Sequence, residues 1–264
     1  MARSAPERTR QSPWPLALLA IAVALVCVLA GWHPWTGSDA PVSGGVADGA
    51  GAAPAPVALS LPEHARVLIL GDSWTYGQAA AVPTEGYAYV LGRTLGWDVT
   101  VDGVRGSGYL RPGLDGGSFG ERIAALDPAL RPDLVIVQGS INDRGRYPQG
   151  YRAAVTGAWD RLSEIFPEAH VVIVGPAPHV LPVEEKTALI DADLAELARA
   201  RGWTYISPIA QEWITAANYH AVIDTGEGKN HPSTAGHAYL AARLADDIRR
   251  LEEAADAAGA GDAP

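Results

Sequence analysis

The chain has 264 residues, 48% of them hydrophobic and 19% charged. That is too apolar and too weakly charged for a disordered protein, and it allows a sizeable core. The formal net charge of −10 argues against a binder of nucleic-acid backbones, which needs a basic face; the single cysteine, Cys27, excludes an intramolecular disulfide and a zinc site built on several cysteines.

The N-terminus reads as an address. Arg3, Arg8 and Arg10 stand against Glu7, and Leu16 to Ala30 then holds no charged or polar side chain except the thiol of Cys27. A basic segment before an apolar run is an export signal. The run up to Trp32 is short for a bilayer span and long for a cleaved signal. Residues 1–32 are therefore expected to form a hydrophobic helix that acts as signal peptide or signal anchor, with membrane contact only through residues 14–32. Val28 and Ala30 suit cleavage, while Trp32 and Trp35 suit an interfacial belt if the segment is retained. The arginines keep the N-terminus inside, so the rest of the chain is expected outside the cytoplasm. Residues 33–60, rich in Gly, Pro, Ala and Ser, read as a flexible linker. The folded domain is expected over residues 61–256, with a disordered tail over 257–264.

Within that domain, strand-length apolar runs recur at Arg66–Leu70, Asp98–Val101, Leu134–Gln138, His170–Val174 and Thr204–Ile206. Helical spacing links Tyr151, Val155, Trp159, Leu162 and Phe166, then Leu189, Leu194 and Leu197, and last Leu240, Leu244, Ile248 and Leu251. Strands alternating with such helices imply βαβ units and a parallel sheet covered on both faces, with chemistry at the carboxyl ends of its strands.

Three motifs follow strands and a fourth opens the last helix. Gly71-Asp72-Ser73-Trp74 places a serine at a strand-to-helix junction, where its Oγ can be exposed near helix-terminal N–H groups; its plain structural reading is a helix cap. Gly103 to Tyr109 holds three glycines that let backbone approach a substrate, although their order is not that of a dinucleotide site. Gly139-Ser140-Ile141-Asn142-Asp143 offers an amide donor at Asn142, or else an Asx-turn. Asn230-His231-Pro232 fixes a histidine just before a helix, a mount for a general base. His237, inside that helix, reads as a packing or capping residue. Trp74, Tyr76, Tyr109 and Trp213 suit either core or pocket.

In this order the four segments resemble the SGNH/GDSL hydrolase family: Gly71-Asp72-Ser73 its first block, Gly106 its second, Asn142-Asp143 its third and His231-Pro232 its fifth. The third block departs by Ser140 where glycine is usual. The resemblance implies a three-layer α/β/α fold, flavodoxin-like, with a central parallel five-stranded sheet. It implies Ser73 as nucleophile, His231 as base, and an oxyanion hole made of the Ser73 and Gly106 N–H groups and the Asn142 side chain. The family usually has Asp three residues before the histidine, where this chain has Gly228. Glu227 is taken as the acid, with Asp224 or a backbone carbonyl, leaving a Ser-His dyad, as the alternatives.

The expected function is an exported serine hydrolase of carboxylic esters, acyl or acetyl, including esters of a carbohydrate. No metal or cofactor is expected. The rivals are an acyltransferase acting on envelope glycans through the same serine, and a catalytically silent glycan-binding module.

Overall fold

The computed structural model describes residues 58–261, all within the unit Gly51–Pro264. The expected N-terminal helix and most of the expected linker lie outside the described residues. Among the described residues no helix is long and apolar enough to cross a membrane.

Five strands form the main sheet: β1 (Arg66–Gly71), β2 (Asp98–Gly103), β3 (Leu134–Gln138), β4 (His170–Val174) and β5 (Thr204–Ile206). Their order is β2-β1-β3-β4-β5 and every pairing is parallel. The central strands β1, β3 and β4 read as near-continuous apolar runs because both faces are covered, while edge strand β2 alternates Val99 and Val101 with Asp98, Thr100 and Asp102. Alternation then divides their side chains between two cores. Val67 and Ile69 of β1, Leu134 and Ile136 of β3, and Val172 and Val174 of β4 join one core. Leu68, Leu70, Val135, Val137 and Ile173 join the other.

Helices α1 (Ser73–Tyr76), α2 (Tyr87–Leu95), α3 (Phe119–Ala124), α4 (Tyr151–Ile165), α5 (Glu185–Ala200), α6 (Tyr219–Val222) and α7 (Thr234–Gly261) complete the chain with a two-residue hairpin pair, β6 (Ile223–Asp224) and β7 (His231–Pro232). Leu91 of α2 and Leu240, Leu244 and Ile248 of α7 cover the first core. Ile123 of α3, Trp159 and Leu162 of α4, and Ile190 and Leu194 of α5 cover the second. The result is the expected three-layer α/β/α arrangement.

The domain edges differ from the expectation at both ends. Leu59 is already 3% exposed in the first core, so packing begins inside the expected linker. α7 runs to Gly261, into the segment expected to be a disordered tail. The sheet order places β1 between β2 and β3. The connection from β1 runs to β2 and that from β3 runs to β4, in opposite directions, which opens a crevice between the carboxyl ends of β1 and β3.

Candidate active site

Ser73 is the first residue of α1, directly after β1, and is 5% exposed. Its position leaves the backbone N–H without an intrahelical acceptor. Asp72 caps this short helix: its Oδ1 accepts the Trp74 N–H at 2.9 Å. The cap and the nucleophile candidate are thus separate residues, and the Ser73 hydroxyl is not spent on capping this helix. That hydroxyl meets His231, whose Nε2 lies 2.8 Å from Ser73 Oγ across 158 residues of chain.

The other ring nitrogen fixes the tautomer. His231 Nδ1 lies 2.8 Å from the Gly228 carbonyl oxygen and 3.2 Å from that of Lys229. Carbonyl oxygens only accept, and both lie nearer than the Gln78 amide nitrogen at 3.5 Å, so Nδ1 carries the proton and Nε2 is left with a lone pair facing the Ser73 hydroxyl. This corrects the expectation for Glu227. That side chain is exposed, and the Gly228 carbonyl occupies the place at Nδ1 that a triad carboxylate would take. Asp224 is not at Nδ1 either: its two oxygens accept the Gly226 N–H at 2.8 Å and the Gly228 N–H at 3.0 Å. Of the three alternatives, the geometry is that of a dyad oriented by a backbone carbonyl.

Gly106 and Asn142 arrive on the loops after β2 and β3. Gly106 has φ +74, and among the described residues no acceptor takes its N–H. Asn142 Nδ2 donates to the Ser107 carbonyl at 2.9 Å. One amide hydrogen therefore locks the second loop to the third, and the other remains for a ligand. Both residues are half-buried.

Asp143, to which the sequence reading gave no task, holds the two loops in register. Its carboxylate is fully buried and accepts the Tyr109 N–H at 2.8 Å, the Leu110 N–H at 2.9 Å and the Ser140 hydroxyl at 2.9 Å. Burial pushes its pKa up against those three donors and the pull of Arg146. The approach is so close that a Cβ on Gly108 would stand 2.5 Å from both carboxylate oxygens. Ser140 replaces the usual glycine at φ +86, a strained value for a residue with a Cβ. Its hydroxyl offsets the cost by bonding Asp143 and, at 2.6 Å, the Tyr151 hydroxyl.

Two further residues brace the site. Arg122 donates to the Gly71 carbonyl and the Ser107 hydroxyl, both at 2.9 Å, and pairs with Asp102 at 2.8 Å, tying the ends of β1 and β2 to the glycine loop. His237 is fully buried. Its Nδ1 accepts the Tyr87 N–H at 3.2 Å, so Nε2 donates to the Gln78 carbonyl at 3.0 Å. Burial pushes its pKa down to about 4, so it stays neutral as a strut, as expected for a packing residue. Trp74, Tyr109 and Trp213 are core residues, while Tyr76 is 38% exposed under the Arg105 guanidinium, 5.3 Å from its ring centroid. On the rim, Arg144 pairs with Glu184 at 2.9 Å and His179 lies beside them. His179 has its pKa lowered by burial, by Arg144 and by the nearness of His231. Among the described residues no three His, Cys, Asp or Glu side chains gather as a metal-binding group.

Comparison with known proteins bears on the family and the fold. A family model described as "GDSL-like Lipase/Acylhydrolase family" matches residues 69–239. A GDSL lipase of Mycobacterium tuberculosis is 29% identical over 192 residues, covering 68% of this chain and 79% of that protein. Among solved structures, the aryl esterase of M. smegmatis superposes with a TM-score of 0.54 at 19% identity, covering 71% of this chain and 99% of that one. A family two carbohydrate esterase from Clostridium thermocellum, in complex with cellohexaose, gives 0.56 at 18% identity, covering 73% and 66%. A carbohydrate acetylesterase family member from Sinorhizobium meliloti gives 0.53 at 16% identity, covering 72% and 99%.

Proposed function

Since the chain belongs to the GDSL-like lipase/acylhydrolase family and is a carboxylic ester hydrolase, we propose that Ser73 is its nucleophile and His231 its general base. The observation that carries this reading is the 2.8 Å contact of His231 Nε2 with Ser73 Oγ, made by a ring whose Nδ1 has two carbonyl oxygens as its nearest partners, at 2.8 and 3.2 Å. His231 takes the hydroxyl proton as Ser73 attacks the ester carbonyl. The negative charge that develops on the carbonyl oxygen is met by the Ser73 N–H, the Gly106 N–H and the free Asn142 amide hydrogen. His231 then gives its proton to the departing alcohol. Water repeats the attack on the acyl-enzyme, assisted by the same ring, and frees the acid.

The substrate in this reading is an acyl or acetyl ester of a carbohydrate. Its support is the polar rim of Arg144, His179 and Glu184, which suits a hydroxyl-rich alcohol, together with the likeness to carbohydrate esterases. The domain works outside the cytoplasm, delivered by residues 1–32. The support for that is the basic segment and apolar run of the sequence. Protease shaving of intact cells tests it, and a soluble cytoplasmic pool of the full chain would refute it.

The chemical test is Ser73→Ala beside a fluorophosphonate probe. The parent should label at Ser73 and hydrolyse acetylated oligosaccharides. The variant should not label, and should lose about 10⁶ in kcat. Activity within a few-fold of the parent would remove Ser73 from the nucleophile role.

A further inference from the structure

The histidine is mounted on an unusually small support. β6 and β7 pair antiparallel with Asp224 opposite His231, and the connection between them, residues 225–230, is closed by its own hydrogen bonds. The Asn230 N–H donates to the Asp224 carbonyl at 2.8 Å, the Lys229 N–H to the Gly226 carbonyl at 3.1 Å, and the His231 N–H to the Gly228 carbonyl at 3.2 Å. Lys229 and Asn230 both sit at positive φ, +50 and +63. A two-residue ladder cannot by itself hold six connecting residues in one shape, because hairpins of this size are marginal alone.

The Asp224 carboxylate supplies what is missing. One oxygen takes the Gly226 N–H and the other the Gly228 N–H, so the two halves of the loop are drawn onto one charged group, with the stronger bonds that a charge allows. Gly228 is held by its N–H on one side while its carbonyl faces His231 Nδ1 at 2.8 Å on the other. The same packing explains the residue at 228. A Cβ there would stand 2.6 Å from Asp224 Cβ and 2.8 Å from Asp224 Cγ and Oδ2. An aspartate at 228 and the observed Asp224 therefore exclude one another.

We propose that Asp224 is a positioning residue for His231, which acts through the loop by holding the Gly228 carbonyl against Nδ1 instead of touching the ring itself. As regards turnover the inference rests on the Ser73–His231 reading; as regards the ring's tautomer it stands alone. The loop sets where the imidazole points and which nitrogen bears the proton. Displacing a base by about 1 Å costs on the order of 10² in rate.

The test uses the whole protein with ¹⁵N-labelled histidine and the variants Asp224→Ala and Asp224→Asn. Long-range ¹H–¹⁵N spectra read the His231 tautomer whether or not any ester is turned over. The parent should show the Nδ1–H form, Asp224→Ala a mixture, and Asp224→Asn, which keeps one of the two acceptor oxygens and no charge, a state between the two. On a p-nitrophenyl ester, with rates expressed per fluorophosphonate-titrated site, Asp224→Ala should lose about 10² in kcat with KM nearly unchanged. Asp224→Asn should recover part of that loss, with the acidic limb of the pH profile unmoved. An unchanged tautomer and per-site rate in Asp224→Ala overturns the proposal, even if the variant melts earlier. A loss of about 10⁴ in Asp224→Asn also overturns it, because that is the mark of a direct charge partner. If Asp224→Ala does not fold, Asp224→Asn and Asp224→Ser carry the same two readouts. A parent that shows the Nδ1–H form but neither labels nor hydrolyses would sink the nucleophile reading and leave the positioning role standing.

Discussion

Replacing Asp72 by asparagine should remove a pH dependence from the stability of the fold. Asp72 is fully buried; one oxygen has the Trp74 N–H and the other has no partner among the described residues. Burial pushes its pKa from 3.8 up to about 7, against the pull of the Trp74 N–H and the Arg122 guanidinium, while Asp143 adds to the rise. The folded value lies above the unfolded one, so the folded state keeps a proton that the unfolded state has lost. Stability from this group is complete below about pH 3.8, falls as pH rises, and levels off above about pH 7. The gap is worth about 4 kcal/mol at ~1.36 kcal/mol per pH unit, of which about 2–3 kcal/mol falls between pH 5 and pH 8. Asparagine keeps an acceptor for Trp74 and carries no charge. Urea denaturation of parent and Asp72→Asn at the two pH values isolates the effect, since all other groups titrate in both. The variant should gain about 2–3 kcal/mol on the parent between pH 5 and pH 8. Parallel curves would refute a buried carboxyl that is half-protonated near neutrality.

Three other substitutions probe the site. Asn142→Ala should lower kcat by about 10²–10³ with little change in KM, as loss of an oxyanion donor does, and should cost about 1 kcal/mol of stability through its bond to Ser107; a pure KM effect in steady-state assays would assign it to substrate binding. Glu227→Gln should leave kcat within about twofold, because the side chain is exposed and away from Nδ1; a loss approaching 10⁴ would restore it as the acid. Gly108→Ala drives a methyl to 2.5 Å from the Asp143 carboxylate and should destabilise by at least about 1–3 kcal/mol, read as a lower denaturation midpoint. An unchanged midpoint would show that the loop yields.

The central strands were legible because burial on both faces forces near-continuous apolar runs, edge strand β2 by its alternation of Val99 and Val101 with polar residues, and the observed bounds of β3, β4 and β5 coincide with those expected. Their order was not, since the same runs fit any parallel arrangement. The helices α2 and α3 went unremarked because Gly92 interrupts one and the other has six residues. Ser73 and His231 could be singled out from their neighbours, yet the partner of Nδ1 could not, because a backbone carbonyl leaves no residue type to look for. Glu227 drew attention as the nearest acid in sequence, whereas chain direction at a turn of positive-φ residues points it outward. The buried Asp143 was in plain view beside Asn142, but only the fold reveals that Gly108 makes room for it.

The division of β1 between two cores bears on how this domain can change over time. Side chains at 67 and 69 commit to one layer, and those at 68 and 70 to the other. Gaining or losing a single residue within Arg66–Gly71 would exchange the layers and carry Ser73 about 3.3 Å along the strand axis, beyond the reach of its histidine. Length variation among descendants of this chain is therefore confined to the connections, such as residues 79–85 and 112–117. Substrate preference can diverge there while the spacing from strand to serine is inherited unaltered.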